Sequence, residues 1–256
     1  MRRFPEPFIT MRLTRLSLLA FFCMKLASAT AIVAALFPDA IYIAADSRYT
    51  QAAGDAPAAT DGCKIVRTGD VAFAAASLSK DTRTGFDFYA ITRQALLRAR
   101  GPLAMRLDAV DGQLRPRLRK TVLAIRQDFP EVYESFLNGH LGQAVFATWE
   151  NDHPVMIEDD WKITKDGQIM EERPFPGNDD SNLVILGSGS DAIVRYADEH
   201  PDWSKLPVAD ALSHLIQAAI DGAAESSQTP DVGGDISILM IDAMGQHWVN
   251  PGRCGT

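Results

Sequence analysis

The sequence predicts an α+β fold, a four-layer αββα sandwich with two sheets packed face to face between outer pairs of helices. Three observations predict it. Apolar segments alternate along the chain as strands, two helices, strands, two helices, strands. The strand segments are apolar on both faces, so each sheet must be covered on both sides. The helical segments carry single apolar stripes, which sheets inside and helices outside would bury together. No repeat, low-complexity run or long linker divides residues 30–256, so they read as a single domain.

Taken in order, residues 30–37 (TAIVAALF) and 40–46 (AIYIAAD) are β-compatible runs joined by a turn at Pro38-Asp39. A small-residue loop is expected over 50–62. Residues 64–67 and 71–76, around Thr68-Gly69-Asp70, form a second hairpin. Residues 80–100 read as a helix with Phe86, Tyr89, Ala90, Leu96 and Leu97 near one face. A second helix spans about 110–128, striped by Leu114, Leu118, Val122, Ile125 and Phe129. Pro116 marks either its true start or a kink. Strands follow at 143–149, 153–163 and 182–186, with a polar surface loop over 174–182. The acidic run Glu158-Asp159-Asp160 is expected on a solvated face. Helices near 190–199 and 206–224 come next; Val208, Leu212, Leu215, Ala219 and Ile220 stripe the second. Strands at 235–242 and 246–249 close the chain.

The first 29 residues read as a secretory signal. Arg12 and Arg15 supply a positive start, and Leu16 to Met24 form an apolar run too short for a permanent span. Ala27-Ser28-Ala29 forms an A-x-A cleavage site. Met11 opens a complete signal by itself and is a candidate true start. A periplasmic or secreted location is therefore expected, with no stable membrane anchor. The alternative is a cytoplasmic protein in which residues 1–29 are a propeptide.

The formal net charge is −8. Removing residues 1–29 deletes five basic side chains and one acid, which leaves −12. Such a surface repels phosphate backbones, so nucleic acid is excluded as a partner. The five histidines show no metal-ligand spacing, and neither a metal nor a cofactor is expected. Cys63 and Cys254 remain after cleavage. In an exported chain they could pair as one disulfide or stay as two thiols, and export favours the pair.

Cleavage after Ala29 would create the chemistry of interest. Thr30 would then carry a free α-amine beside the carbon that bears its hydroxyl, a nucleophile and a general base in one residue. An α-amine has a pKa near ~8, close to the working range for accepting a proton. A nearby cation would enlarge its neutral fraction, and such a cation needs an anionic partner to stay buried. Lys64 begins one core strand and Asp46 ends another.

These residues resemble the proteasome β-subunit family of N-terminal nucleophile (Ntn) hydrolases, in the form of a bacterial exported member. The resemblance is carried by Thr30 opening a strand, Ala44-Ala45-Asp46-Ser47-Arg48 after a hairpin, and Lys64-Ile65 on the next strand. Ala76-Ser77 through Asp81 and Gly187-Ser188-Gly189-Ser190 extend it. It is clear over about 30–90, weaker over 182–242 and thin between. It implies the αββα fold and a threonine-type hydrolase of peptide or small amide bonds. Thr30 would be nucleophile and base, Lys64 would tune its amine, and Asp46 would orient Lys64. Ser188 would hydrogen-bond the amine, and the backbone N–H of Ser77 would donate to the oxyanion. The resemblance also implies ring assembly through the helical layers, with a monomer or dimer equally open for an exported member.

The departures from the family pattern are specific. Ser77 stands where the family has glycine, and Ala29 precedes Thr30 where self-processing members have glycine. Asp231-Val232-Gly233-Gly234 lacks the serine expected before its glycine. Asp231 either replaces the family aspartate in a shifted register or shapes a turn. The altered positions also fit a second class of protein, a non-catalytic subunit that keeps the fold for assembly or binding. Singly, each residue has a plainer role: Thr30 as a strand residue, Asp46 and Lys64 as an ion pair, Ser188 as a helix cap.

Overall fold

The computed structural model describes residues 30–53, 56–137, 139–164, 166–173, 182–226 and 232–255. The expected signal at 1–29, most of the loop 174–182 and Asp231 lie outside them. Within them the chain is α+β, with two five-stranded antiparallel sheets and five α-helices.

The first sheet is built from β1 (Ile32–Leu36), β2 (Ile41–Asp46), β12 (Leu183–Leu186), β13 (Ile236–Asp242) and β14 (Gly245–Asn250), in the order β12-β1-β2-β13-β14. The second holds β5 (Ile65–Thr68), β6 (Val71–Ser77), β9 (Gly142–Glu150), β10 (His153–Ile163) and β11 (Ile169–Glu172), in the order β11-β10-β9-β6-β5. Two ribbons, β3 (Arg48–Ala53) with β4 (Ala56–Asp61) and β7 (Lys80–Asp81) with β8 (Phe86–Asp87), stand beside them. The helices are α1 (Phe88–Arg98), α2 (Leu103–Asp128), α3 (Pro130–Leu137), α4 (Ser190–Glu199) and α5 (Val208–Ser226). No helix among the described residues is long and apolar enough to cross a membrane.

Three apolar clusters hold these elements together. One joins the two sheets: Ile32, Ala34, Ile41 and Ile43 from the first meet Ala72, Ala74, Ala76, Val145 and Ala147 from the second. The alanines on β6 and β9 let the two backbones approach closely. A second cluster packs the other face of the second sheet, through Phe73, Phe146 and Trp161, on Leu96, Leu107, Leu114 and Val132 of α1–α3. A third packs Val33, Ala44 and Ile238 on Ile193, Leu212, Leu215 and Ala219 of α4 and α5. Strand residues facing both ways are thus buried, as their composition requires.

Several expectations are corrected. The segment 50–62 is not a loop: it forms the β3–β4 ribbon, paired from Arg48↔Asp61 to Ala53↔Ala56. Its base is pinned where the Gly62 N–H donates to the Ser47 carbonyl at 2.8 Å, and its small residues carried no alternation to announce it. The helix expected from residue 80 begins at Phe88. The Asp81 carboxylate accepts the Arg83 N–H and bends the chain, and Asp87 accepts the Ala90 N–H as the N-cap. Helix α2 begins at Leu103 and runs through Pro116, so Pro116 is not its start. The proline costs about 3 kcal/mol inside a helix, and the buried stripe Leu103, Leu107, Val110, Leu114 and Leu118 offsets it. The Glu150 carboxylate takes the Leu103 N–H at the helix start.

The acidic run on β10 is not a solvated face. Asp159 and Asp160 are buried. Asp160 accepts His140 Nδ1 at 2.8 Å. Asp159 points toward α2, where Arg173 Nε donates to it at 2.8 Å. Arg173 also pairs with Asp108 and Glu171, so its charge is shared among three carboxylates. Burial therefore prevails and pushes the Asp159 carboxyl up to about 7. A raised acid binds more protons folded than unfolded, so its stabilising contribution is complete below the ordinary carboxylate range and is lost as pH climbs through about 7. Thermal unfolding of wild type and Asp159→Asn should therefore diverge in pH dependence. The wild-type melting temperature falls between pH ~4 and ~7, and the substitution flattens that slope.

Candidate functional site

The sequence of β1 and β2 places Ala31, the residue after Thr30, beside Asp46. Register pairs Ile32 with Ala45, so the residue before β1 lies beside the last residue of β2. The Asp46 N–H donates to the Ala31 carbonyl at 3.2 Å, and the Ala31 N–H returns a bond to Asp46 Oδ1 at 2.9 Å. Lys64 arrives from the connection between β4 and β5, and its Nζ donates to the same Oδ1 at 2.7 Å. Its ammonium and the amide next to Thr30 therefore share one oxygen.

Both side chains of this ion pair are fully buried. Such a pair persists only if its remaining bonding capacity is filled. Asp46 Oδ2 accepts the N–H groups of Arg48 at 3.2 Å and Gly233 at 3.0 Å. Four donors thus surround one carboxylate. For Lys64, burial pushes the ammonium pKa down, and Asp46 pushes it back up. Removing either partner strands the other, at a cost of about 3–5 kcal/mol.

Residues 187–189 close over Thr30 from β12. Gly187 has φ +93°, and a Cβ there would fall 2.0 Å from the Thr30 carbonyl oxygen and 3.4 Å from Ala76 Cβ. Only glycine permits that approach. The Gly187 N–H is aimed at Gln143 Oε1, at 3.3 Å, which ties the turn to the second sheet. A Cβ at Gly189 would meet Ala31 and Ala219. Ser188 sits exposed between these two glycines. It does not cap α4: the N-cap is Gly189, and no side chain closes that turn.

Ser77 ends β6 opposite Gly142, one residue beyond Ala76. Its φ is +70°, a left-handed conformation that disfavours a side chain by about 1–2 kcal/mol. The backbone keeps the shape that suits glycine although the residue is serine. Thr30, Asp46, Lys64, the end of β6 with Ser77 and the turn carrying Ser188 are therefore brought together. Asp231 lies outside the described residues; its neighbour Val232 packs in the core of the first sheet and its helices.

Three contributors were given no role of their own in the sequence reading. Gly233 supplies an N–H to Asp46 and accepts from Ser47 and Arg48 through its carbonyl. Gly187 makes the close approach to Thr30, and Gln143 anchors that turn. The paired glycines at 233–234 were the available signal, visible only as a broken motif. Chemically, the arrangement offers a threonine hydroxyl, a buried cation beside residue 31 and a backbone turned at Ser77. In the full chain the Thr30 nitrogen is an amide, and an amine arises only by cleavage after Ala29.

The tight approach at residue 187 can be measured. Gly187→Ala should destabilise the protein more than Gly245→Ala, where φ is +119° but nothing lies within 4 Å of the new Cβ. Both pay a backbone cost of about 1–3 kcal/mol. Only residue 187 adds an overlap worth about 1–3 kcal/mol more. Equal midpoints in urea would contradict the contact. No model of a known protein family matches the chain, and no curated protein is similar to it.

Proposed function

We propose that the chain is a threonine-type Ntn hydrolase that cleaves peptide or small amide bonds, using Thr30 after removal of residues 1–29. The observation that carries this reading is the buried Lys64–Asp46 pair at 2.7 Å, which shares Asp46 Oδ1 with the amide following Thr30. A fully desolvated lysine is costly as mere scaffolding. Set beside a new α-amine, it favours the neutral amine that a general base must be.

In this mechanism the Thr30 hydroxyl gives its proton to the α-amine as its oxygen attacks the substrate carbonyl. The Ser77 N–H donates to the oxygen that becomes negative. The ammonium then protonates the leaving amine, and an ester on Thr30 remains. Water, deprotonated by the same amine, releases the acid and restores the hydroxyl. Ser188 keeps the amine oriented.

The same reading makes the three apolar clusters the interfaces of a four-layer αββα sandwich, with α1–α3 and α4–α5 as outer layers. It also makes residues 1–29 a cleaved export signal and the mature protein periplasmic or secreted. The Cys63–Cys254 disulfide fits that location. A homo-oligomer would form through the helical layers. One observation favours the second reading, a non-catalytic subunit: the side chain on the left-handed Ser77, where an oxyanion turn works best with glycine.

An electrophile that acylates N-terminal threonine separates the two. Mass spectrometry should find one adduct on Thr30 of the processed wild type and none on Thr30→Ala. Lys64→Met should label about 10²-fold more slowly or worse. An unlabelled wild type that begins at Thr30 would establish the non-catalytic reading.

A further inference from the structure

Lys64 is directly preceded by Cys63, which is bonded to Cys254 across a separation of 191 residues. Lys64 lies in the connection between β4 and β5, one residue after Cys63 and one before the β5 ladder opens at Ile65↔Ala74. Cys254 belongs to the short turn Gly252–Gly255 after β14 and packs against the cluster between the sheets.

The same C-terminal segment is fastened to the entry of β13. Ser237 Oγ donates to the Pro251 carbonyl at 3.0 Å. Gly252 passes so close to Ile236 that a Cβ would fall 2.6 Å from its carbonyl oxygen. Arg253 Nε pairs with Asp235 at 2.8 Å, and its far nitrogen reaches Asp61 at 4.0 Å. Asp61 in turn faces Arg48 at 3.8 Å. Arg48 and Gly233 are the residues whose N–H groups hold Asp46 Oδ2. The C-terminal turn is thus tied to the chain that bears Lys64 and, through Asp61 and Asp235, to the two segments that hold Oδ2 of its counter-ion.

We propose that the Cys63–Cys254 disulfide and Arg253 form a clasp that positions Lys64 on Asp46, which makes them positioning residues of the site and places its assembly under redox control. The kinetic consequence rests on the hydrolase reading above; the structural consequence does not. A dithiol reductant opens the clasp: the Sγ–Sγ bond breaks, both sulfurs gain a proton and an electron, and the dithiol is oxidised to its own disulfide. The connection bearing Lys64 then loses its covalent tie to the C-terminal turn and admits water. The charged groups around the lysine are Asp46, Asp61 and Arg48. With water admitted, the burial that pushes its pKa down is relieved, and its cation no longer bears on the Thr30 amine.

The test follows Lys64 itself. Lysine labelled at Cε is titrated by NMR in the full chain, in wild type with the disulfide intact, in wild type treated with a dithiol, and in Cys254→Ser. Arg253→Gln keeps the disulfide and tests the ionic tie, should the serine variant fail to fold. With the clasp closed, Lys64 titrates below ordinary lysine. Opening it raises that midpoint toward that of ordinary lysine, with a smaller rise in Arg253→Gln. In processed protein, the acid limb of kcat/KM against pH moves up by a similar amount, and KM changes less than about twofold. A lower melting temperature with an unmoved Lys64 midpoint would show a plain stabilising cross-link and overturn the proposal. A wild type without turnover would sink the hydrolase reading alone, since the lysine titration still decides whether the clasp holds.

Discussion

The buried contact between Lys64 and Asp46 is the constraint around which the rest is arranged. Taking two charges out of water costs several kcal/mol per ion, and one contact between them does not recover it. Recovery requires that every other lone pair find a donor. Here the donors come from separate parts of the chain: Ala31 before β1, Arg48 after β2 and Gly233 before β13. Those three segments meet only because β1, β2 and β13 are neighbours in one sheet. The topology of the first sheet is thus the means by which one carboxylate is satisfied.

The second sheet contributes differently. Its inner face offers alanines, so the end of β6 can come close to the turn at Gly187 and the main chain of Thr30. Its outer face carries the large residues Phe73, Phe146 and Trp161, which anchor the helices. Size is thus sorted by side: small where sheets meet, large where helices cover. A methyl group more on the inner face would push the two halves of the site apart.

What could be read from the sequence divides along physical lines. Most strands of the two sheets were legible because burial on both faces demands apolar runs, as in Val71–Ala76 and Leu183–Leu186. The long amphipathic helices were legible through their stripes. The β3–β4 ribbon was not, because main-chain pairing holds it and its composition is small and mixed. Helix α3 and strand β11 were too short to establish a period. Asp159 was misjudged because its partner, Arg173, lies on a different element and nothing local reveals the meeting. In the candidate site, the two charged side chains that pair, Asp46 and Lys64, were named from the sequence. The backbone donors were not, since every residue has an N–H and only the fold decides which are aimed at Asp46.

The Gly233 donor and the Cys254 sulfur are made well after Asp46 and Lys64, with a separation of 187 residues from Asp46 to Gly233 and of 191 from Cys63 to Cys254. A nascent polypeptide accordingly carries the lysine and its carboxylate through that interval without the parts that hold them. The long reach between the two ends also makes folding slow, because distant segments must meet before the ion pair is sheltered. The buried pair is therefore among the last features a growing chain can shelter, because its donor from Gly233 and its neighbour's disulfide both arrive from far along the sequence.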